Sequence, residues 1–206
     1  MTAYAQNGED LTLARLLTEV DTGFYVDVGA GHPEEHSVTK LFYDKGWHGI
    51  NVEPSPSAYA LLCKERPRDI NLNFCAGASE GADYFDVFPG INDSLSAPSE
   101  YLRKLFKGQG FEPQTRGART FTLSGIIYNH APPGQSIHFL KIDVEGYERE
   151  VLAGLDLKVH RPWFMCIEAT LPHSIMRCDH YWNELLFDNG YHQILFDGLN
   201  CFYTAE

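Results

Sequence analysis

Five carboxylates fall where an acid can do chemistry. Asp27, Glu53, Asp143 and Glu168 each close, or directly follow, a short apolar run that reads as a buried strand, and Glu145 lies two residues beyond Asp143. In an open parallel sheet, ligands collect beyond the carboxyl ends of the strands, where strand order reverses. A single acid at a strand end is commonplace; four at one edge define a crevice. Neighbouring strand ends lie roughly 5 Å apart, so Asp143 or Glu145 can meet Glu168 in one pocket. Such a group can bind a divalent cation that orients a diol, or hold substrate hydroxyls while another group removes a proton. The plainer alternative for Glu145 is a cap on the following helix. His36, after the first strand, and His173, after the fifth, are the histidines placed to act as a base, because imidazole titrates near neutrality. A structural role is the alternative for each.

Gly29-Ala30-Gly31 adds a tight turn at which backbone can approach a ligand closely. A dinucleotide site would continue to a third glycine at position 34, but Glu34 and Glu35 stand there and oppose a pyrophosphate at a helix start. S-adenosylmethionine has no phosphate. It carries an ammonium and a sulfonium, which carboxylates such as Asp27 favour. Glu53 can accept both hydrogen bonds of a ribose diol; alternatively it is an ordinary turn residue before Pro54. Asn73 to Gly77, with Cys75 and Ala76 at its centre, leaves room for a flat adenine.

Elements that position these groups alternate along the chain. Helices are expected over Asp10 to Val20, Ser37 to Lys45 with Ser37 as N-cap, Ser57 to Glu65, Glu148 to Leu155 and Tyr181 to Asp188. Strands are expected over Phe24 to Val28, Gly49 to Glu53, Leu72 to Ala76, Tyr84 to Phe88, His138 to Val144 and Trp163 to Glu168. Tyr191 to Phe196 and Cys201 to Thr204 complete them as a closing antiparallel hairpin. The reading is an α/β fold: one domain over residues 1–206, with a mostly parallel sheet and helices on both faces. Residues 89–117 read as a loop or lid with a helix near Glu100 to Phe106, where Tyr101, Phe106 and Phe111 line the substrate or simply pack.

A formal charge of −12 disfavours a nucleic-acid partner. No run of about 18 apolar residues is present, so no membrane span is expected. The N-terminus lacks the pattern of a signal peptide. Five scattered cysteines without C-x-x-C spacing suit a reduced, cytoplasmic protein.

The chain resembles the FkbM-type methyltransferase family. The resemblance is carried by Gln6-Asn7-Gly8-Glu9-Asp10, Tyr25-Val26-Asp27-Val28-Gly29-Ala30, His36-Ser37-Val38-Thr39 and Gly46-Trp47-His48-Gly49-Ile50-Asn51-Val52-Glu53-Pro54. Leu140-Lys141-Ile142-Asp143-Val144-Glu145-Gly146-Tyr147-Glu148 completes it. It implies a class I methyltransferase (Rossmann-like) fold, S-adenosylmethionine as donor, and O-methylation of a sugar, deoxysugar or glycan hydroxyl. It also adds Gln6, Ser37, Pro54 and Asp143 to the expected cofactor contacts, beside Asp27, Gly29, Ala30, Gly31, Glu53, Cys75 and Ala76. Asp143, Glu145 and Glu168 are the expected magnesium ligands if the reaction uses a metal. The C-terminal Phe196-Asp197-Gly198-Leu199-Asn200-Cys201-Phe202-Tyr203 is similar to members that accompany or are fused to glycosyltransferases. The abrupt end after Glu206 is expected of a domain cut from a longer chain. Two other classes stay open: an NAD-dependent oxidoreductase, which Glu34 and the missing glycine disfavour, and a non-catalytic module that only binds the cofactor.

Overall fold

The computed structural model describes residues 2–87, 96–97, 104, 107–108, 110, 112, 114–172 and 174–205. The first half contains α1 (Glu9–Leu16), β1 (Phe24–Val28), α2 (Lys40–Asp44), β2 (His48–Val52), α3 (Pro56–Glu65) and β3 (Ile70–Leu72). A second group follows: β4 (Cys75–Gly77), β5 (Gly81–Val87), β6 (Ser96–Ala97), β7 (Gln114–Thr122) and α4 (Leu123–His130). The chain ends with β8 (Phe139–Ile142), α5 (Glu148–Ala153), β9 (Phe164–Glu168), a 3-10 turn at Asp179–Tyr181, α6 (Asn183–Phe187), β10 (Tyr191–Phe196) and β11 (Asn200–Ala205).

Seven strands form the main sheet in the order β10-β11-β9-β8-β1-β2-β3. The run from β9 to β3 is parallel, and β11 pairs antiparallel with both β9 and β10. The central strands are apolar at nearly every position because both faces are covered. Alternate residues serve different cores, as the two-residue period of a strand requires. Phe24, Val26, Val28, Leu140, Ile142, Met165 and Ile167 face one cluster with α4, α5 and α6. Tyr25, Phe139, Cys166 and Phe202 face the other, with Leu13 and Leu17 from the α1 side and Leu41 and Phe42 from α2. Burying each such side chain contributes about 1.5–3 kcal/mol, so this double core fixes the register of the strands that end at the site.

Several expectations change here. The third strand was expected over Leu72 to Ala76, but the main sheet keeps only Ile70–Leu72, and Cys75–Gly77 belongs to a second sheet ordered β4-β7-β5-β6. The chain crosses between sheets at Asn73 and Phe74, with a bend at Phe74, in a stretch that reads as one strand in sequence. Ser37 is not an N-cap: α2 starts later, at Lys40, and the Ser37 hydroxyl accepts a bond from Arg66 at 2.9 Å. Strand β7 and helix α4 fall partly in the expected lid and partly in a stretch without an expected element. Most of the lid, including Tyr101, Phe106 and Phe111, lies outside the described residues, as does His173. Among the described residues, no helix is long and apolar enough to cross a membrane.

Candidate active site

The turn after β1 is held from both sides. The amides of Gly29 and Ala30 donate to the Val52 carbonyl at 3.0 and 3.2 Å, and the Gly31 amide donates to Glu53 Oε2 at 2.8 Å. Gly29 has φ of 75°, and a Cβ there would lie 1.8 Å from the Asp143 carbonyl oxygen. Only glycine lets the turn pass this close to the end of β8. Glu53 Oε1 accepts the Ser55 amide at 2.7 Å, while Asn73 Nδ2 ties the Glu53 and Pro54 carbonyls at 2.9 and 3.0 Å. Glu53 is 1% exposed. Burial raises its carboxyl to about 7, against the opposing pull of the two amides.

That shift carries a sign. The folded Glu53 carboxyl keeps its proton to about pH 7, whereas an unperturbed glutamate releases it near 4.5. Between those values the folded state binds more protons than the unfolded one, so Glu53 makes folding less favourable as pH rises through that window. In urea denaturation, the stability of the native chain relative to Glu53→Gln is therefore expected to fall between pH 5 and pH 7.5. A difference that grows with pH would refute the buried, protonated carboxyl.

Asp27 does not face an open crevice. It is 1% exposed, accepts the Thr39 hydroxyl at 2.9 Å, and pairs with the Lys141 ammonium at 3.2 Å. Lys141 also lies 3.6 Å from Asp143 Oδ2 and donates to the Gly29 carbonyl. Burial alone would lower the lysine, but the charges of Asp27 and Asp143 outweigh it and hold Lys141 above the usual lysine range. One buried cation thus joins the ends of β1 and β8 to the glycine turn.

Asp143, Glu145 and Glu168 converge. Each offers an oxygen, and these lie within 4.8 Å of one another. Glu145 sits at φ of 56°, followed by Gly146 at 97°, so the backbone swings the glutamate back toward the ends of β8 and β9. The capping alternative for Glu145 belongs to its neighbour: Glu148 accepts the amides of Val144 and Gly146 at 3.0 and 3.1 Å. Burial, then the charges of Asp143 and Glu148, push the Glu145 carboxyl up. Burial followed by Asp143, Glu145 and Glu148 does the same to Glu168, whose Oε2 is buried with no hydrogen-bond partner among the described residues. Three carboxyl groups this close form a cation-seeking trio. It can grip hydroxyls, take a proton, or surround a hard divalent ion.

The remaining expected residues are distributed unevenly. His36 is exposed at φ of 58°, and its backbone bridges to Ala5, which brings the segment bearing exposed Gln6 beside the turn. Cys75 is half-buried in β4, and Ala76, 6% exposed, packs in the core instead of opening toward a ligand. Pro54 lines a neighbouring cavity of about 430 Å³. Sequence reasoning missed three supports. Buried Arg66 binds the Pro33 carbonyl, Ser37 and Tyr25, and pairs with Asp69 at 3.6 Å. The His32 ring accepts the amides of Glu34 and Glu35. Asn7 reaches the Asp197 carbonyl and Glu9 the Asn200 amide, which places the N-terminal segment against the strand paired with Glu168. The motif Gln6-Asn7-Gly8-Glu9-Asp10 was the available signal for the last of these.

Comparison with known proteins fits this geometry. The model of the methyltransferase FkbM domain matches residues 27–192, a span that holds the glycine turn, Glu53 and all three converging carboxylates. No curated protein matches the chain. The chain belongs to the FkbM methyltransferase domain family.

Proposed function

We propose that this FkbM-family methyltransferase uses S-adenosylmethionine to methylate a hydroxyl of a sugar, deoxysugar or glycan. The observation that carries the reading is the convergence of Asp143, Glu145 and Glu168 beside a turn where only glycine fits. The donor's adenosyl part is assigned to the Gly29–Gly31 turn and the Glu53 side. Its cationic end is assigned to the acidic end of β8, where Lys141 already occupies Asp27 and leaves Asp143 partly exposed. The methyl group of a sulfonium is already activated. Aligning an oxygen opposite the departing sulfur contributes several kcal/mol, about 7–11 in ideal cases.

An alkyl hydroxyl attacks poorly while protonated, so the carboxylate trio is assigned the proton. Glu168, buried and unpartnered at Oε2, is the base or the hydroxyl-orienting group, with Asp143 and Glu145 beside it. The same three residues fit a magnesium ion, since they offer hard oxygen donors within 4.8 Å of one another and Glu168 Oε2 is buried without a hydrogen-bond partner among the described residues; when bound, that ion would make an acceptor hydroxyl more acidic. The free state of all five cysteines supports a reducing, cytoplasmic setting, and an associated or fused glycosyltransferase is the partner that a glycan acceptor implies.

Calorimetry with S-adenosylhomocysteine is expected to give micromolar affinity, with NAD giving none. Labelled donor offered with a panel of sugars and glycans should yield a base-stable methylated product. NAD binding without S-adenosylhomocysteine binding would reverse the assignment to an oxidoreductase. Donor binding without methylation of any acceptor would leave a cofactor-binding module.

A further inference from the structure

One cavity beside the proposed donor site carries two arginines that methyl transfer does not use. It opens between the turn after β2, the end of β3 and strand β7, with Pro54, Phe74 and Phe121 among its walls. Arg116 and Arg119 are the charged residues among the described ones that line it, and no carboxylate does. That is unusual in a chain with 28 acidic and 16 basic residues. Neither arginine forms an ion pair with a described residue. The Arg119 guanidinium lies 4.7 Å from the centre of the Phe121 ring, which in turn packs on Phe74 at 4.6 Å.

Strand β7 pairs with β5 over Gln114–Thr120 but with β4 only over Thr120–Thr122. Among the described residues, 114–119 therefore present an unpaired edge to this cavity. Residues three apart on a strand leave opposite faces, so Arg116 and Arg119 straddle that edge. Two planar guanidinium groups flanking unpaired backbone suit a phosphate, which arginine binds in bidentate fashion. The phenylalanine and proline walls suit a flat ring, and about 430 Å³ is far more than a bare phosphate needs.

We propose that this cavity binds a phosphate-bearing ligand of the nucleoside diphosphate class, with the ring against the aromatic and proline walls and the phosphates between Arg116 and Arg119. The cavity shares Pro54 with the proposed donor site, but S-adenosylmethionine has no phosphate, so the donor does not account for the two arginines.

The test is calorimetry on the whole chain with UDP, ADP, uridine and pyrophosphate, with and without saturating S-adenosylhomocysteine. At least one nucleoside diphosphate should bind below millimolar, and at least tenfold tighter than uridine or pyrophosphate. Arg116→Ala and Arg119→Ala should each weaken it at least tenfold, with unchanged melting curves because both side chains are exposed, and added salt should weaken it further. The proposal is overturned if neither diphosphate binds at millimolar concentration, if the double variant binds as the native chain does, or if pyrophosphate alone binds as tightly. Displacement by S-adenosylhomocysteine would also overturn it, by placing the cavity within the donor's own site.

Discussion

Lys141→Met is expected to destabilise the chain by about 3–5 kcal/mol, the usual result of removing one partner from a buried ion pair. Lys141 is 7% exposed, and its ammonium answers the carboxylates of Asp27 in β1 and Asp143 just past β8 together with the Gly29 carbonyl. Without it, Asp27 is left at 1% exposure with the Thr39 hydroxyl as its remaining strong contact. Methionine nearly matches the volume, so lost packing is a minor part of the effect. At this chain length the loss corresponds to a fall of roughly 6–20 °C in melting temperature. The double variant Asp27→Asn with Lys141→Met removes both charges and should recover at least half of the loss. It also keeps the test usable if the single variant fails to fold. A single-variant cost under about 1 kcal/mol, or no recovery in the double variant, would mean that the lysine does not neutralise Asp27.

The same lysine shows how much of this site was legible in the sequence. Asp27, Glu53, Asp143 and Glu168 could be placed at one edge because β1, β2, β8 and β9 are largely buried and read as mostly apolar runs, interrupted at Asp27, Asn51 and Lys141. Which acid would be free could not be read. The answer depends on Lys141 of β8 lying opposite Asp27 of β1, a register fact with no local signature. Strand β7 was missed for a different reason. Its first four residues, Gln114 to Gly117, are exposed, so it offers no alternating apolar pattern. Helix α4 after it is short, and its cap is the Thr122 hydroxyl on the Gly125 amide, without the glutamate that would have marked a capping box. Arg66 sits in Arg66-Pro67-Arg68-Asp69, which reads as a charged surface turn, yet it is 1% exposed and supports the far end of the turn after β1 at Pro33.

Glu168→Gln separates a functional acid from a structural one. Glutamine keeps the shape at the end of β9 but removes a carboxyl from a cluster whose oxygens lie within 4.8 Å. Relief of that crowding should leave the melting temperature unchanged or raise it by a few degrees, and affinity for S-adenosylhomocysteine should hold. Methyl transfer should nevertheless fall about 10²–10⁴-fold, the range for losing a positioned proton acceptor. A merely structural glutamate would behave in the opposite way, with stability and activity declining together. Magnesium extends the comparison. If the trio holds a cation, millimolar magnesium should raise the melting temperature of the native chain and have little effect on the variant, because binding to the folded state alone stabilises it. If magnesium has no such effect while turnover still collapses in the variant, the acid acts directly on the acceptor hydroxyl. Turnover within threefold of the native chain would remove Glu168 from the chemistry, and with it the case that the converging acids are the reacting end of the site.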